Sequence, residues 1–228
     1  MPSQTSIAYQ KIKDMIFHME ILPGDKISEP QISAKLEISR TPIHDALRKL
    51  GSEGLVEIGR NRGASVMKFT AAEIEEIGTI RLSQDILAGK LAAYHGSIAD
   101  FDRLDQLAAD CEEAAAKGDI YNRIKADNDF HLEIAKISDN HYLYQQQYQI
   151  YQQVYLIQIS KYTDIEASLR QIHHHLPLVQ AIRNSDLETI TDISCEHIKD
   201  FYHLDGYTMK CVGRQDDGGP QNGLRAAL

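Results

Sequence analysis

Cysteine is scarce in this chain. Cys111, Cys195 and Cys211 stand far apart among 228 residues. That spacing fits neither a CxxC zinc ligand set nor a disulfide framework, so free thiols in a reducing cytosol are expected. Long apolar runs are also missing, and no membrane span is expected. The N-terminal stretch MPSQTSIAYQ has no basic segment followed by an apolar core, so it does not read as a signal peptide. Overall positive charge is lacking as well: the formal net charge is −9, which argues against uniform nucleic-acid affinity. There is no internal repeat. What is present is ordinary for a soluble globular protein, 43% hydrophobic and 25% charged residues, in a length that holds one large domain or two small ones.

The charge is unevenly placed. Residues 1–69 hold 10 Lys+Arg and 8 Asp+Glu, +2 in all, and residues 70–228 hold 14 and 25, −11 in all. A phosphate backbone would repel the rear part, while the front part could sit on one. The front pattern reads as three helices and a hairpin. The first helix carries Ala8, Ile12, Met15, Ile16 and Met19 and ends at the turn Leu22-Pro23-Gly24-Asp25. A second helix covers about Glu29 to Leu36. A third is expected to open with Thr41 as N-cap and Pro42 at the first helical position, and to stop at Gly51. Strands near 54–58 and 64–68 flank a turn tipped by Arg60 and Arg62. This is a winged helix-turn-helix over residues 1–69, and its recognition helix would present Ser39, Arg40, Thr41, His44 and Arg48 to the major groove of double-stranded operator DNA. Arg60 and Arg62 would reach backbone or minor groove from the wing.

From residue 70 every long segment has helical period. Helices are predicted near 71–94, 98–117, 119–137, 140–163, 167–184 and 186–204, an antiparallel bundle of about six over residues 70–207, with a disordered polar tail at 208–228. Four polar residues interrupt its apolar stripes. Asp127 and His131 follow Ile120 and Ile124 and precede Ile134; His175 lies between Ile172 and Val179; His197 lies between Ile193 and Phe201. Buried polar groups need partners, and four converging in a bundle could share a divalent cation. Three imidazoles with one carboxylate suit zinc foremost, then nickel, iron or manganese, and suit calcium poorly. His173 and His174 adjoin His175 but point elsewhere around the helix.

The run Leu22-Pro23-Gly24-Asp25, Ser39-Arg40-Thr41-Pro42-Ile43, Ala46-Leu47-Arg48-Lys49-Leu50 and Gly54-Leu55-Val56 resembles the GntR family of bacterial transcription regulators over about residues 5–68. In that family the arginine and threonine of the Ser-Arg-Thr-Pro element contact operator DNA, which implies Arg40 and Thr41. The chain departs from the pattern at His44, where arginine is usual, and at Pro30, near which arginine is frequent. The rear part, through Asp127-x-x-Phe130-His131, Asn140, His175 with Ala181-Ile182, and His197-Ile198, resembles the FCD effector domain. That resemblance implies a metal held by Asp127, His131, His175 and His197, an organic acid completing its coordination, and Arg81 facing the acid's carboxylate. Tyr148, Tyr151 and Tyr155 crowd the fourth bundle helix, which has no arginine between 145 and 160, and are candidates for lining the effector site.

The reading is therefore a cytoplasmic, homodimeric transcriptional regulator, not an enzyme, whose operator affinity responds to a small organic acid. Two homodimer halves are needed to place recognition helices on a two-fold operator. The alternatives are a metal-dependent hydrolase with an accessory DNA-binding domain, which lacks an acid/base partner because Asp129 and Glu133 turn from the ligand face, and a regulator whose helical domain only dimerises.

Overall fold

A computed structural model describes residues 2–59, 63–161 and 173–213. Ten helices occur among them: α1 (Gln4–Phe17), α2 (Glu29–Leu36), α3 (Arg40–Ser52), α4 (Ala71–His95), α5 (Ile98–Ala116), α6 (Ile120–Ile137), α7 (His141–Lys161), α8 (His175–Arg183), α9 (Leu187–Tyr202) and α10 (Gly206–Val212). Three short strands, β1 (Lys26–Ile27), β2 (Val56–Gly59) and β3 (Gly63–Val66), form an antiparallel sheet in the order β1-β3-β2. The architecture is mostly α: a winged helix-turn-helix followed by an all-helical bundle. No helix among the described residues is long and apolar enough to cross a membrane.

Local chemistry sets the helix ends. Ser3 caps α1 through its hydroxyl, which accepts from the Ser6 amide. Thr70 with Glu73, and Ser97 with Asp100, form reciprocal capping boxes at the starts of α4 and α5. Asp119 and Asp186 cap α6 and α9 in the same sense, and the Asn140 side chain accepts from the Leu143 amide at the head of α7. Glu37, left-handed at φ 57°, closes α2, and buried Ile38 anchors the short turn into α3.

Three sequence expectations need correction. Helix α3 starts at Arg40 with Ser39 as N-cap, two residues earlier than the expected cap at Thr41; Pro42 is tolerated as the third helical residue because amides of the first turn have no intrahelical acceptor. Strand β1 was not foreseen, since two residues carry no readable alternation; Lys26 pairs with Ser65 and Ile27 with Ala64. Residues 206–212, mostly assigned to a disordered tail, form α10, capped by Asp205 and packed against α4. The expectation for 214–228 lies outside the described residues.

One apolar core sits under the wing, with Ile12, Ile16, Ile43, Leu47, Leu50 and Leu55 fully buried. Each such aliphatic side chain contributes on the order of 1.5–3 kcal/mol. This core continues without interruption into Ile124, Tyr155 and Leu156 of α6 and α7. Phe17 of α1 stacks on Tyr155 with ring centroids 4.1 Å apart, so the end of α1 is seated on the bundle. Inside the bundle α4, α6, α7, α8 and α9 surround a polar centre.

Candidate metal centre and nucleic-acid interface

The centre is assembled from five helices. Asp127 and His131, four residues apart, share the inner face of α6. His175 opens α8 and is fully buried, whereas His173 is exposed. His197 comes from α9. One ligand atom from each of these four residues lies within 4.8 Å of the other three. Asp127 Oδ1 is 3.1 Å from His175 Nε2, 3.8 Å from His197 Nε2 and 4.0 Å from His131 Nε2; His131 Nε2 and His197 Nε2 are 3.1 Å apart. Ligands about 2.1 Å from a tetrahedral ion are about 3.4 Å from one another, and the spread here brackets that value.

The donor chemistry fits a cation. Asp127 Oδ1 and both ring nitrogens of His175 are buried and make no hydrogen bond. A neutral imidazole carries one N–H and one lone-pair nitrogen, and leaving these and a carboxylate oxygen buried without hydrogen bonds is costly unless something else satisfies them. Burial pushes the Asp127 carboxyl up, but Arg123, His175 and His131 outweigh it and hold the group well below the usual carboxylate range. Burial, aided by Arg81, pushes His131 well below the usual imidazole value; burial, aided by His175 and His131, does the same to His197. An ionised carboxylate and neutral imidazoles are the protonation states in which these side chains coordinate metals.

A surrounding layer orients the four. Asp85 of α4 places Oδ2 3.5 Å from His131 Nδ1. Its carboxylate accepts from the Tyr151 hydroxyl at 2.8 Å, from Gln147 Nε2 at 2.5 Å and from Arg81 Nε at 3.2 Å. Burial raises Asp85 to about 6 against the opposing pull of Arg81. Asp127 Oδ2 accepts from Gln158 Nε2 at 3.0 Å, and Gln158 Oε1 accepts from Asn128 Nδ2 at 3.2 Å. Arg81, 1% exposed, donates to the Tyr202 hydroxyl; its Nη2 is 3.9 Å from Asp127 and makes no hydrogen bond. Buried Arg123 lies 4.0 Å from Asp127 Oδ1.

Sequence reasoning passed over much of this layer. Arg123 was legible, because 123, 127 and 131 repeat every four residues along α6. Gln147 and Gln158 share a face of α7 with Tyr151 and Val154, but nothing local tells a buried glutamine from an exposed one. Asp85 stands four residues after Arg81, a spacing that by itself reads as an ordinary helical ion pair. Of the three tyrosines, Tyr151 reaches the centre, whereas Tyr155 stacks on Phe17 and Tyr148 is 39% exposed near α1, because that stripe of α7 is shared between the bundle and the winged domain.

At the other end, Ser39, Arg40, Thr41, His44 and Arg48 are exposed along one side of α3, opposite buried Ile43, Ala46, Leu47 and Leu50. Ser39 makes no capping hydrogen bond, so its hydroxyl is available. His44 Nδ1 lies 3.1 Å from Glu29 of α2, which occupies part of the histidine's hydrogen-bonding capacity. Arg60 and Arg62 lie outside the described residues.

Residues 4–66 match the bacterial regulatory proteins of the gntR family, and residues 76–200 match the FCD domain. The chain is a GntR-family regulator with an FCD domain. The HTH-type transcriptional regulator YdhC of Bacillus subtilis (strain 168) is 25% identical over 199 residues, which cover 84% of this chain and 89% of that protein. The HTH-type transcriptional repressor RspR of Escherichia coli (strain K12) is 21% identical over 192 residues, 84% of each. In fold the chain is similar to E. coli McbR/YncC, with a TM-score of 0.75 and 21% identity over 89% of this chain and 99% of that one. It is also similar to a GntR regulator of Rhodococcus sp. RHA1, with a TM-score of 0.77 and 21% identity over 89% and 97%. GntR-family regulators are transcription factors, not enzymes, which removes the hydrolase alternative.

Proposed function

We propose that this GntR-family regulator senses a small carboxylate at a metal held by Asp127, His131, His175 and His197, and that binding there changes operator affinity. The observation that carries the reading is the convergence of four buried donors whose Asp127 Oδ1 and His175 nitrogens make no hydrogen bond. A bound divalent ion would supply a Lewis-acidic position for an anionic ligand. Charge balance favours the anion. Asp85 and Asp127 are countered by Arg81 and Arg123, so a divalent ion would leave the interior with excess positive charge, and the unused Arg81 Nη2 is a donor to a carboxylate oxygen. Zinc is the favoured ion.

Ser39, Arg40, Thr41, His44 and Arg48, with Arg60 and Arg62 of the wing, form the operator-reading surface in this proposal, within a DNA-binding domain of residues 1–69; residues 70–207 form the effector domain. The reading places the protein in the bacterial cytoplasm. A homodimer supplies the second recognition helix. The exposed side chains Ile80, Leu87 and Tyr94, seven residues apart along α4, give an apolar stripe for the partner copy.

Metal analysis of purified protein, followed by thermal-shift screening of organic acids with and without chelator, tests the reading. Stoichiometric metal and an acid-induced rise in melting temperature that chelator abolishes are expected. Absence of metal together with no response to any acid would overturn it.

A further inference from the structure

A cavity of about 210 Å³ lies between α1 of the winged domain and helices α6 and α7, sharing Tyr151 with the layer around the metal centre. Its walls include Phe17, Tyr121, Tyr148 and Tyr155, four aromatic rings contributed by all three helices. A cavity of about 150 Å³ holds benzene, so one substituted ring fits here. An apolar ring is not what the polar lining asks for. Lys13 enters from α1; it touches the Gln152 side chain and the Tyr9 hydroxyl, and makes no ion pair with a carboxylate among the described residues. Its neighbour Lys125, by contrast, is paired with Asp129 at 2.6 Å. Burial, aided by Lys49, lowers the Lys13 amine from the ordinary lysine range against the opposing pull of Glu53 and Asp14. Asn128 is 5% exposed; its Nδ2 is used twice, by Ile124 O and Gln158 Oε1, while its Oδ1 has no hydrogen-bond partner. The cavity therefore offers ring faces, a cation and an unused but enclosed acceptor, and its lining also carries the carboxylates of Asp14 and Asp129.

We propose that this inter-domain cavity binds a monocyclic aromatic acid bearing a hydroxyl or amine, with its carboxylate on Lys13, its ring among the tyrosines and its donor on Asn128 Oδ1. The site requires no metal and none of the four metal-ligand side chains. Its position bears on regulation. Lys13 contacts Tyr9, whose hydroxyl donates to Glu53 at the end of α3 at 2.8 Å, so a ligand here would brace the attachment of the recognition helix to the bundle.

Titration calorimetry on the full chain after chelator treatment tests this, with 4-hydroxybenzoate as the probe. Saturable binding of one molecule per chain is expected, weakened at least about tenfold by Lys13→Met, a half-buried position where the substitution preserves packing. Lys13→Arg should stay within a few-fold of the parent, and His197→Ala should leave binding unchanged. 4-Hydroxybenzyl alcohol, which lacks the carboxylate, should bind at least tenfold more weakly. Absence of saturable heat at millimolar probe would overturn the proposal. So would binding that survives Lys13→Met, or that His197→Ala alone abolishes, since either would seat the probe outside this cavity. The metal-centre reading stands or falls separately, on metal content and on acid responses that chelator removes.

Discussion

Asp127 shows how a single side chain organises the interior of this bundle. It meets three imidazoles through one oxygen and Gln158 through the other. Replacing His197 with alanine removes one of four donors, and metal analysis of that variant should find no stoichiometric ion. Asp85→Asn keeps the volume but weakens the acceptor that faces His131 Nδ1. Metal affinity should fall about 10–100-fold, measured by competition with a chromophoric chelator, because such partners fix the ring and raise its basicity. Gly78 matters for a different reason. A Cβ there would lie 2.4 Å from Tyr202 Cβ, where α4 and α9 are in closest approach. Gly78→Ala should cost about 1–3 kcal/mol, read as a lower melting temperature; an unchanged melting curve would mean the two helices separate easily.

Helix α3 has a buried apolar side and an exposed polar one, and the two can be tested separately. Arg40→Ala should cost about 1–3 kcal/mol of operator affinity if the guanidinium reads a base. If it holds a phosphate instead, the salt-dependence slope should fall by about 0.9. Fluorescence anisotropy with labelled operator at several salt concentrations distinguishes the two, and no change in either quantity would remove Arg40 from the interface. The limits of α2, and those of α4 and α5 to within a residue or two, could be read from the pattern along the chain, since apolar periodicity is a local property. The start of α3 could not. Thr41-Pro42 has the composition of a helix start, yet the buried seat of Ile38 brings the chain into helical geometry at Arg40. Strand β1 exists only because β3 lies beside it.

Phe17 stacked on Tyr155 joins the winged domain to the helical bundle through one continuous apolar core. Phe17→Ala should cost about 3–5 kcal/mol and reduce the effect of any bundle ligand on operator affinity, while leaving metal content unchanged. A variant that still transmits the ligand response in full would show that the seam is not the route. Leu87→Glu places charge on the α4 stripe proposed as the dimer seam; sedimentation should find the parent as a dimer and this variant as a single chain. The helical periodicity of the rear part and the four polar breaks in its stripes were readable along the chain, because a helix writes its inward face at intervals of three and four residues. That order gave the helices and nominated Asp127, His131, His175 and His197. Which helices stand next to one another is not written at any such interval. The pairing of Asp85 with His131, the enclosure of Arg81 by Tyr151 and Tyr202, and the turning of Tyr155 toward the winged domain join residues far apart in sequence. Only the packing of the folded chain decides them, since each depends on how surfaces from distant segments fit together.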